Sequence, residues 1–199
     1  MAISEDLIQI SRITVNYFMK IMRSTAAIFI LLMAYGCSHQ SGTHMQPVPF
    51  VDIKKLMGDW YVLANIPTYP ERGAQNPIEK YALNPDGTIE TRFVYNDPKK
   101  GKRKTLEATG FVQQGTGNAI WGMQFIWPIK ADYRIVYLDE VYGTTIIGRN
   151  KRDYLWIMAR EPSLPPGRLE ELIDIAVDLG YDRSKIQVTN WVAELKEMS

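Results

Sequence analysis

The sequence predicts an all-β fold, an eight-stranded antiparallel up-and-down β-barrel with one C-terminal α-helix packed outside it and a short final strand. Three observations predict this fold. Eight runs of β-branched and aromatic residues follow one another, turns rich in Gly, Asn and Asp separate most of them, and one amphipathic segment follows the last run. Short turns join antiparallel neighbours, and closing the sheet removes its exposed edges, so the eight runs are expected to form a barrel.

The predicted strands alternate between apolar and polar residues. In one of them Trp121, Met123, Phe125 and Trp127 share a face that is expected to point into the barrel. The clearest turn lies at residues 84–87 (Asn-Pro-Asp-Gly), where Asp-Gly suits a positive φ. The predicted strands occupy residues 59–65, 77–83, 88–95, 103–113, 119–127, 133–138, 143–148 and 154–160.

One amphipathic helix is predicted after the eighth strand. Gly180 suits its C-terminal cap, and the apolar stripe is expected to pack on the outer wall of the barrel. Residues 185–191 are predicted to form the short final strand. The helix stripe consists of Leu169, Leu172, Ile173, Ala176 and Leu179.

The N-terminal residues 1–36 have the pattern of a signal peptide. An apolar run at residues 26–35 follows Lys20 and Arg23, and it is too short to span a bilayer as a finished helix. Met19 and Met22 both offer a start that gives a compact leader. Residues 37–49 are expected to be a lipidated cysteine and a flexible tether, and residues 50–199 the barrel domain.

The only cysteine, Cys37, follows small residues at Ala34 and Gly36, and this stretch resembles the lipobox of bacterial lipoproteins. The resemblance implies that the Cys37 thiol carries a diacylglycerol and that the new amino terminus is acylated, an anchor of several chains that holds almost permanently. With Ser38 next to it, the resemblance implies sorting to the outer membrane. The alternative is a plain secretory signal with an incidental cysteine.

The composition excludes several classes of function. The formal net charge is +1 and the basic residues are mixed with acidic ones, so nucleic acid is not an expected partner. Residues 50–199 contain no histidine and no cysteine, which excludes a Ser-His-Asp or Cys-His arrangement, a zinc site with N/S ligands and haem ligation by histidine. The carboxylates that remain are expected to be solvated: Glu79, Glu90, Glu107, Asp139 and Glu140.

Three short motifs resemble the lipocalin family. Gly58 and Trp60 match its G-x-W motif, Asp132 and Tyr133 resemble the second signature, and Arg160 matches the third. These five are interpreted as fold residues, with the Arg160 guanidinium across the Trp60 indole at the base of the barrel.

Further stretches resemble the bacterial lipocalins in particular. They are the Glu-Arg-Gly at residues 71–73, the Asp-Tyr-Leu-Trp-Ile at 153–157 and the Gly-Tyr-Asp at 180–182. The resemblance extends from Phe50 to about Trp191. It implies lipid binding or transport at the outer membrane, linked to envelope maintenance under stress, with the lipid-anchored barrel facing the periplasm; it also allows a homodimer.

The first functional hypothesis is that the barrel holds a fatty acid or a lysophospholipid and catalyses nothing, without metal or cofactor. Arg72, Lys80 and Arg134 are candidates to meet a headgroup. The alternatives are a carboxylate-dependent lipid-modifying enzyme on the same barrel and a ligand-free interaction protein of the envelope. The candidate residues of the cavity wall are Tyr81, Phe93, Trp121, Phe125 and Tyr137.

Overall fold

A computed structural model describes residues 44–189 and 191 of the chain. The predicted signal peptide and the lipidation site at Cys37 lie outside the described residues. None of the helices that the structure describes combines the length and the apolar composition needed to span a bilayer.

The described residues form the predicted order of strands with one helix near the C-terminus. The sixth strand is predicted to begin at residue 133, but Ile126 pairs with Ile129 across a two-residue hairpin, so this strand begins four residues earlier. The elements are α1 (Ile53–Leu56), β1 (Gly58–Ile66), β2 (Gln75–Leu83), β3 (Ile89–Asp97), β4 (Lys102–Val112), β5 (Ile120–Ile126), β6 (Ile129–Leu138), β7 (Thr144–Gly148), β8 (Leu155–Ala159), α2 (Arg168–Asp178) and β9 (Gln187–Val188).

Eight strands close into one antiparallel barrel. Each of β2 to β7 pairs with the next strand along the chain, and β1 closes the sheet by pairing with both β2 and β8. The short β9 lies outside the barrel on β1, where Val188 is opposite Ala64. The predicted closed barrel with an outer helix and a short final strand is therefore confirmed, although β9 is shorter than the predicted 185–191.

Side chains of the barrel strands pack in two separate layers. In β8, Trp156 and Met158 point into the barrel, whereas Leu155 and Ile157 point outward against α2. Helix α2 buries Leu172 and its neighbours on this outer layer, and each fully buried aliphatic side chain contributes roughly 1.5–3 kcal/mol. The helix thus covers one side of the barrel and leaves the interior to the strands.

The Trp60 side chain closes one end of the barrel. Its indole is fully buried and Nε1 donates to the carbonyl of Leu56, 2.8 Å away. The Arg160 guanidinium lies 3.8 Å from the centroid of the Trp60 ring, which is the contact expected from the sequence. The same guanidinium donates to the carbonyls of Asp59 (2.8 Å), Lys55 (2.7 Å) and Met57 (2.9 Å).

Gly58 is required beside this contact. Its φ is +99°, and a Cβ on Gly58 would lie 3.3 Å from Nη1 of Arg160. The G-x-W motif and the arginine at the end of β8 therefore form one structural unit at the closed end.

Residues 44–49, which the sequence assigns to the tether, lie against the barrel. Met45 is buried, and its backbone N–H donates to the side chain of Asn150 at 2.9 Å. The N–H of Val48 donates to the carbonyl of Ile135 at 2.9 Å. The apolar Met45 and Val48 therefore belong to the packing on the barrel wall.

Replacing Arg160 with alanine is expected to destabilise the barrel. The substitution R160A removes the contact with Trp60 and three charge-assisted hydrogen bonds, which together predict a loss of roughly 2–4 kcal/mol in the free energy of unfolding. Urea denaturation followed by tryptophan fluorescence measures this loss.

The matched control is Arg92→Ala on β3. Arg92 is exposed and forms a surface ion pair with Glu90 at 3.1 Å, so R92A is expected to change the free energy of unfolding by about 0.5 kcal/mol or less. Equal stabilities of R160A and R92A would contradict the role given to Arg160.

Candidate functional site

The barrel interior contains a cavity of about 250 Å³ at the end opposite Trp60. Loops between alternate strands lie at this end because the strands are antiparallel and sequential. Most of its walls are apolar. The lining residues come from the β1–β2 loop, β2 to β6, the β7–β8 loop and β8: Thr68, Pro70, Glu71, Glu79, Thr91, Phe93, Leu106, Ala108, Met123, Phe125, Ala131, Asp132, Tyr133, Arg149, Tyr154, Trp156 and Met158.

Buried aromatic side chains fill the barrel between this cavity and the closed end. The Trp121 ring stacks on Tyr133 with centroids 5.5 Å apart and meets Tyr81 edge-on at 5.7 Å. The Tyr81 and Tyr133 hydroxyls form a hydrogen bond with each other. Burial raises the pKa of both phenols well above the ordinary value, so both are neutral.

The Glu71 carboxyl group turns inward from the β1–β2 loop. Its Oε2 accepts hydrogen bonds from the backbone N–H of Thr68 at 3.1 Å and from Nε1 of Trp156 at 3.2 Å. Thr68 and Glu71 form a capping box around a short 3₁₀ helix, Tyr69–Glu71, which fixes the loop over the barrel. Burial raises the Glu71 pKa, while these hydrogen bonds act in the opposite direction.

Glu79 on β2 is the second carboxyl group in the cavity wall. Its side chain is only 8% exposed, and no described residue donates a hydrogen bond to it. Burial first, and then the charge of Glu71, raises the Glu79 pKa well above its usual range, which favours the protonated form of the carboxyl group. The sequence prediction that Glu79 is a solvated carboxylate is therefore wrong.

The alternation along β2 explains this burial. Glu79 shares a strand face with Tyr81, and its cross-strand neighbours are Trp60 on β1 and Phe93 on β3. The other four carboxylates of the prediction lie outside the cavity lining. Glu107 and Glu140 are exposed, and Glu90 and Asp139 are partly exposed.

Arg149 is the one basic residue among those that line the cavity. It lies at the start of the β7–β8 loop, its Nη1 is 3.3 Å from Asp153, and its guanidinium lies 5.0 Å from the Tyr154 ring centroid. Its Nε is buried without a hydrogen-bond partner among the described residues. Arg149 therefore lines the cavity and has one N–H donor that no described residue accepts.

The structure separates the five predicted wall residues. Phe93 and Phe125 line the cavity, and Phe125, 53% exposed, lies at its mouth. Tyr81 and Trp121 point inward but belong to the packed aromatic layer near the closed end.

Tyr137 lies outside the barrel interior, contrary to its predicted place in the wall. The β6–β7 pairing shifts register between Ile135 and Tyr137, so Tyr137 is opposite Ile146, a residue of the outer layer. Its hydroxyl accepts a hydrogen bond from Nη2 of Arg168 on α2 at 2.6 Å. The bulge changes the face of the strand, and simple alternation cannot anticipate it.

None of the three predicted headgroup residues lines the cavity. Arg72 is exposed, Lys80 forms an ion pair with Asp59 near the closed end, and Arg134 is held by Asp132 at 2.8 Å.

Sequence reasoning missed Glu71 and Arg149. Glu71 lay in the Glu-Arg-Gly stretch, which was assigned to a loop without a role, and nothing in the local pattern of Arg149 indicated an inward side chain.

Asp132 has a structural role at the mouth. Besides holding Arg134, its carboxylate accepts the backbone N–H of Asn150 at 2.8 Å. This contact fixes the β7–β8 loop, to which Arg149 belongs.

Among residues 44–189 and 191, no three His, Cys, Asp or Glu side chains come together as a metal site.

Exposed apolar side chains surround the mouth. The tip between β5 and β6 exposes Trp127 by 82%, and Tyr69 on the β1–β2 loop is also strongly exposed. Basic residues accompany them at the same end of the barrel. The exposed basic residues there are Arg72, Lys99, Lys100, Lys102, Arg103, Lys130 and Lys151.

Comparisons with known proteins agree with this architecture. Temperature-induced lipocalin-1 of Arabidopsis thaliana is 32% identical over 156 residues, which are 73% of this chain and 82% of the plant protein. Outer membrane lipoprotein Blc of Escherichia coli K12 is 27% identical over 170 residues, 84% of this chain and 95% of Blc. Insecticyanin of the tobacco hornworm Manduca sexta has the same fold, with a TM-score of 0.57 and 17% identity over 75% of this chain and 86% of insecticyanin.

The family model of the lipocalin-like domain matches residues 51–191, which include the whole barrel, α2 and β9. The sequence motifs, the closed barrel and this match agree with one another. The chain belongs to the lipocalin family.

Proposed function

We propose that this protein binds a fatty acid or a lysophospholipid in its barrel and carries or stores it at the outer membrane, where it supports envelope maintenance under stress. The observation that carries the proposal is the partly empty, mainly apolar cavity beneath an open mouth. Apolar surface removed from water contributes roughly 25 cal/mol per Å², so an acyl chain gains free energy there with little need for polar partners.

The size of the cavity indicates how such a ligand sits. At about 250 Å³ it is slightly smaller than the usual range of ligand sites, which is roughly 300–1,000 Å³. Part of an acyl chain fills it, and the rest of the ligand extends past Phe125 to the mouth. The exposed apolar side chains around the mouth then continue the apolar path.

Arg149 is the residue best placed to meet an anionic group at the mouth. Its buried Nε has no partner, and its loop is fixed by the contact between Asp132 and Asn150. A carboxylate or phosphate there gains a charge-assisted hydrogen bond. Arg149 thus replaces Arg72, Lys80 and Arg134 as the proposed headgroup contact.

A carrier accounts for the cavity better than an enzyme does. The two buried carboxyl groups, Glu71 and Glu79, favour the enzyme alternative, but Glu71 is occupied by Thr68 and Trp156. Residues 50–199 contain no histidine or cysteine to act as a base or a thiol nucleophile. The relatives compared above are named as lipocalins and outer membrane lipoproteins.

Filling the cavity is expected to weaken lipid binding. Ala108 on β4 lines the cavity, so Ala108→Phe places a ring in the space that an acyl chain requires. Displacement of a fluorescent fatty acid by palmitate and by a lysophospholipid measures the effect, and a loss of about 1.4 kcal/mol, equivalent to at least tenfold in Kd, is expected.

Ala82→Phe is the matched control. Ala82 is exposed on β2, outside the cavity, so A82F is expected to bind both lipids as the unchanged protein does. If A108F bound the lipids as tightly as A82F, the ligand would not lie in the barrel and the proposed function would fail.

We propose that Cys37 carries the lipid anchor and that the barrel faces the periplasm with its mouth near the membrane. The relative from Escherichia coli is named an outer membrane lipoprotein. Met45, the second of the described residues, donates its backbone N–H to Asn150 on the β7–β8 loop at the mouth. Cys37 precedes His44 by seven residues, which reach about 25 Å when extended, so an anchored Cys37 keeps the mouth close to the bilayer.

The anchor is tested by replacing the thiol. Cys37→Ala is expected to abolish incorporation of labelled palmitate and to remove the protein from the outer-membrane fraction, because the acyl chains then have no attachment site. The control Ser38→Ala is expected to keep both. Palmitate labelling of C37A at the level of S38A would contradict the proposal.

A further inference from the structure

The inner wall of the cavity contains a carboxyl group with no partner. Glu79 is more than nine-tenths buried, lines the cavity and accepts no hydrogen bond from the described residues. A buried polar group without a hydrogen bond destabilises a protein. The partner of the Glu79 carboxyl group is therefore expected to come from outside the chain.

A second carboxyl group, that of Glu71, makes this wall acidic. Glu71 is held by Thr68 and Trp156 through Oε2, and its charge acts on Glu79. The Tyr81 and Tyr133 hydroxyls satisfy each other and offer no positive charge. The inner wall therefore presents two acidic groups and no cation.

The single basic residue of the lining does not neutralise this pair. Arg149 belongs to the β7–β8 loop and is committed through Nη1 to Asp153. Neither Glu71 nor Glu79 forms an ion pair with any described residue. A ligand anion finds its counterpart only at Arg149, whereas a ligand group beside Glu79 meets acidic oxygens.

Resting on the proposed carrier function, we infer that Glu79, together with Glu71, forms a binding site for the polar group of a lipid that donates hydrogen bonds, above all a primary alkylammonium group. An ammonium has three N–H donors, and it supplies the positive charge that the pair lacks. The acyl or alkyl chain then occupies the apolar wall around Phe93 and Met123.

The three alternative headgroups differ in a simple way at this site. When a primary ammonium binds, the Glu79 carboxyl group releases its proton to solvent, and the N–H groups of the ammonium donate to the Glu71 and Glu79 carboxylates. An alcohol donates one hydrogen bond but brings no charge. A carboxylate at the same position brings a third acidic group, and it either stays at the mouth near Arg149 or binds weakly.

The test compares three ligands with one ten-carbon chain, which suits the small cavity. Decylamine, decanol and decanoate compete at pH 7 with Nile red, an uncharged fluorescent probe. For the unchanged protein we expect decylamine to bind at least tenfold more tightly than decanoate, with decanol between them. Decanoate binding as tightly as decylamine overturns the inference without any variant.

Glu79→Gln locates the preference. Because E79Q replaces a buried carboxyl group with a neutral amide of the same shape, it is expected to fold, which circular dichroism verifies. The preference for decylamine over decanoate should fall below threefold in E79Q, with decanol within twofold of its original affinity. Glu90→Gln is the control, since Glu90 lies outside the cavity lining and pairs with Arg92; E90Q should retain the full preference.

The outcomes separate this inference from the proposed function. If decanol and decanoate bind and decylamine has no advantage, or if E79Q keeps the advantage, the barrel is a carrier and the carboxyl pair is not its recognition site. If neither Nile red nor any of the three ligands binds, the carrier function fails and this inference fails with it.

Discussion

The guanidinium of Arg160 is the contact on which the closed end of the barrel depends. An eight-stranded barrel has an interior just wide enough for side chains or one small ligand, and that space opens at both ends unless one is filled. Trp60 fills one end, and Arg160 binds the backbone carbonyls of Met57, before the G-x-W motif, and of Asp59, within it. With that end closed, solvent reaches the interior only through the mouth, so polar groups inside lie in a low-dielectric environment.

The cavity follows from the sizes of the inward-pointing residues. Large aromatic side chains stack near the closed end, whereas small or flexible residues such as Ala108, Thr91 and Met158 leave the half of the barrel nearer the mouth partly empty. Buried carboxyl groups in that half lower stability and leave hydrogen-bonding capacity unused, as functional sites commonly do. The inward-pointing side chains thus determine three features of the barrel. They close one end, they fill the space beside that end with aromatic rings, and they leave the Glu79 carboxyl group without a partner in the cavity.

Patterns of short range predict most of this fold. The Asp-Gly turn at residues 84–87, the alternation within strands and the helical stripe each depend on neighbouring residues, and each was predicted from the sequence. The site depends on contacts distant in the chain. A register shift in β6 moves Tyr137 to the outer layer, and only the folded loops bring Glu71 and Arg149 to the same cavity as Glu79. Glu79 is two residues from Tyr81 on the same strand, so alternation alone predicts that both side chains point inward. The charge of a carboxylate favoured a solvated position for Glu79 instead.

The central claim is that the barrel holds one lipid unchanged. Native mass spectrometry of the full-length protein, extracted from the membrane in which it is made, tests it most directly. The account predicts one fatty acid or lysophospholipid per barrel, released with its mass intact. A barrel recovered empty, or one that converts added lysophospholipid to cleaved products, would contradict it.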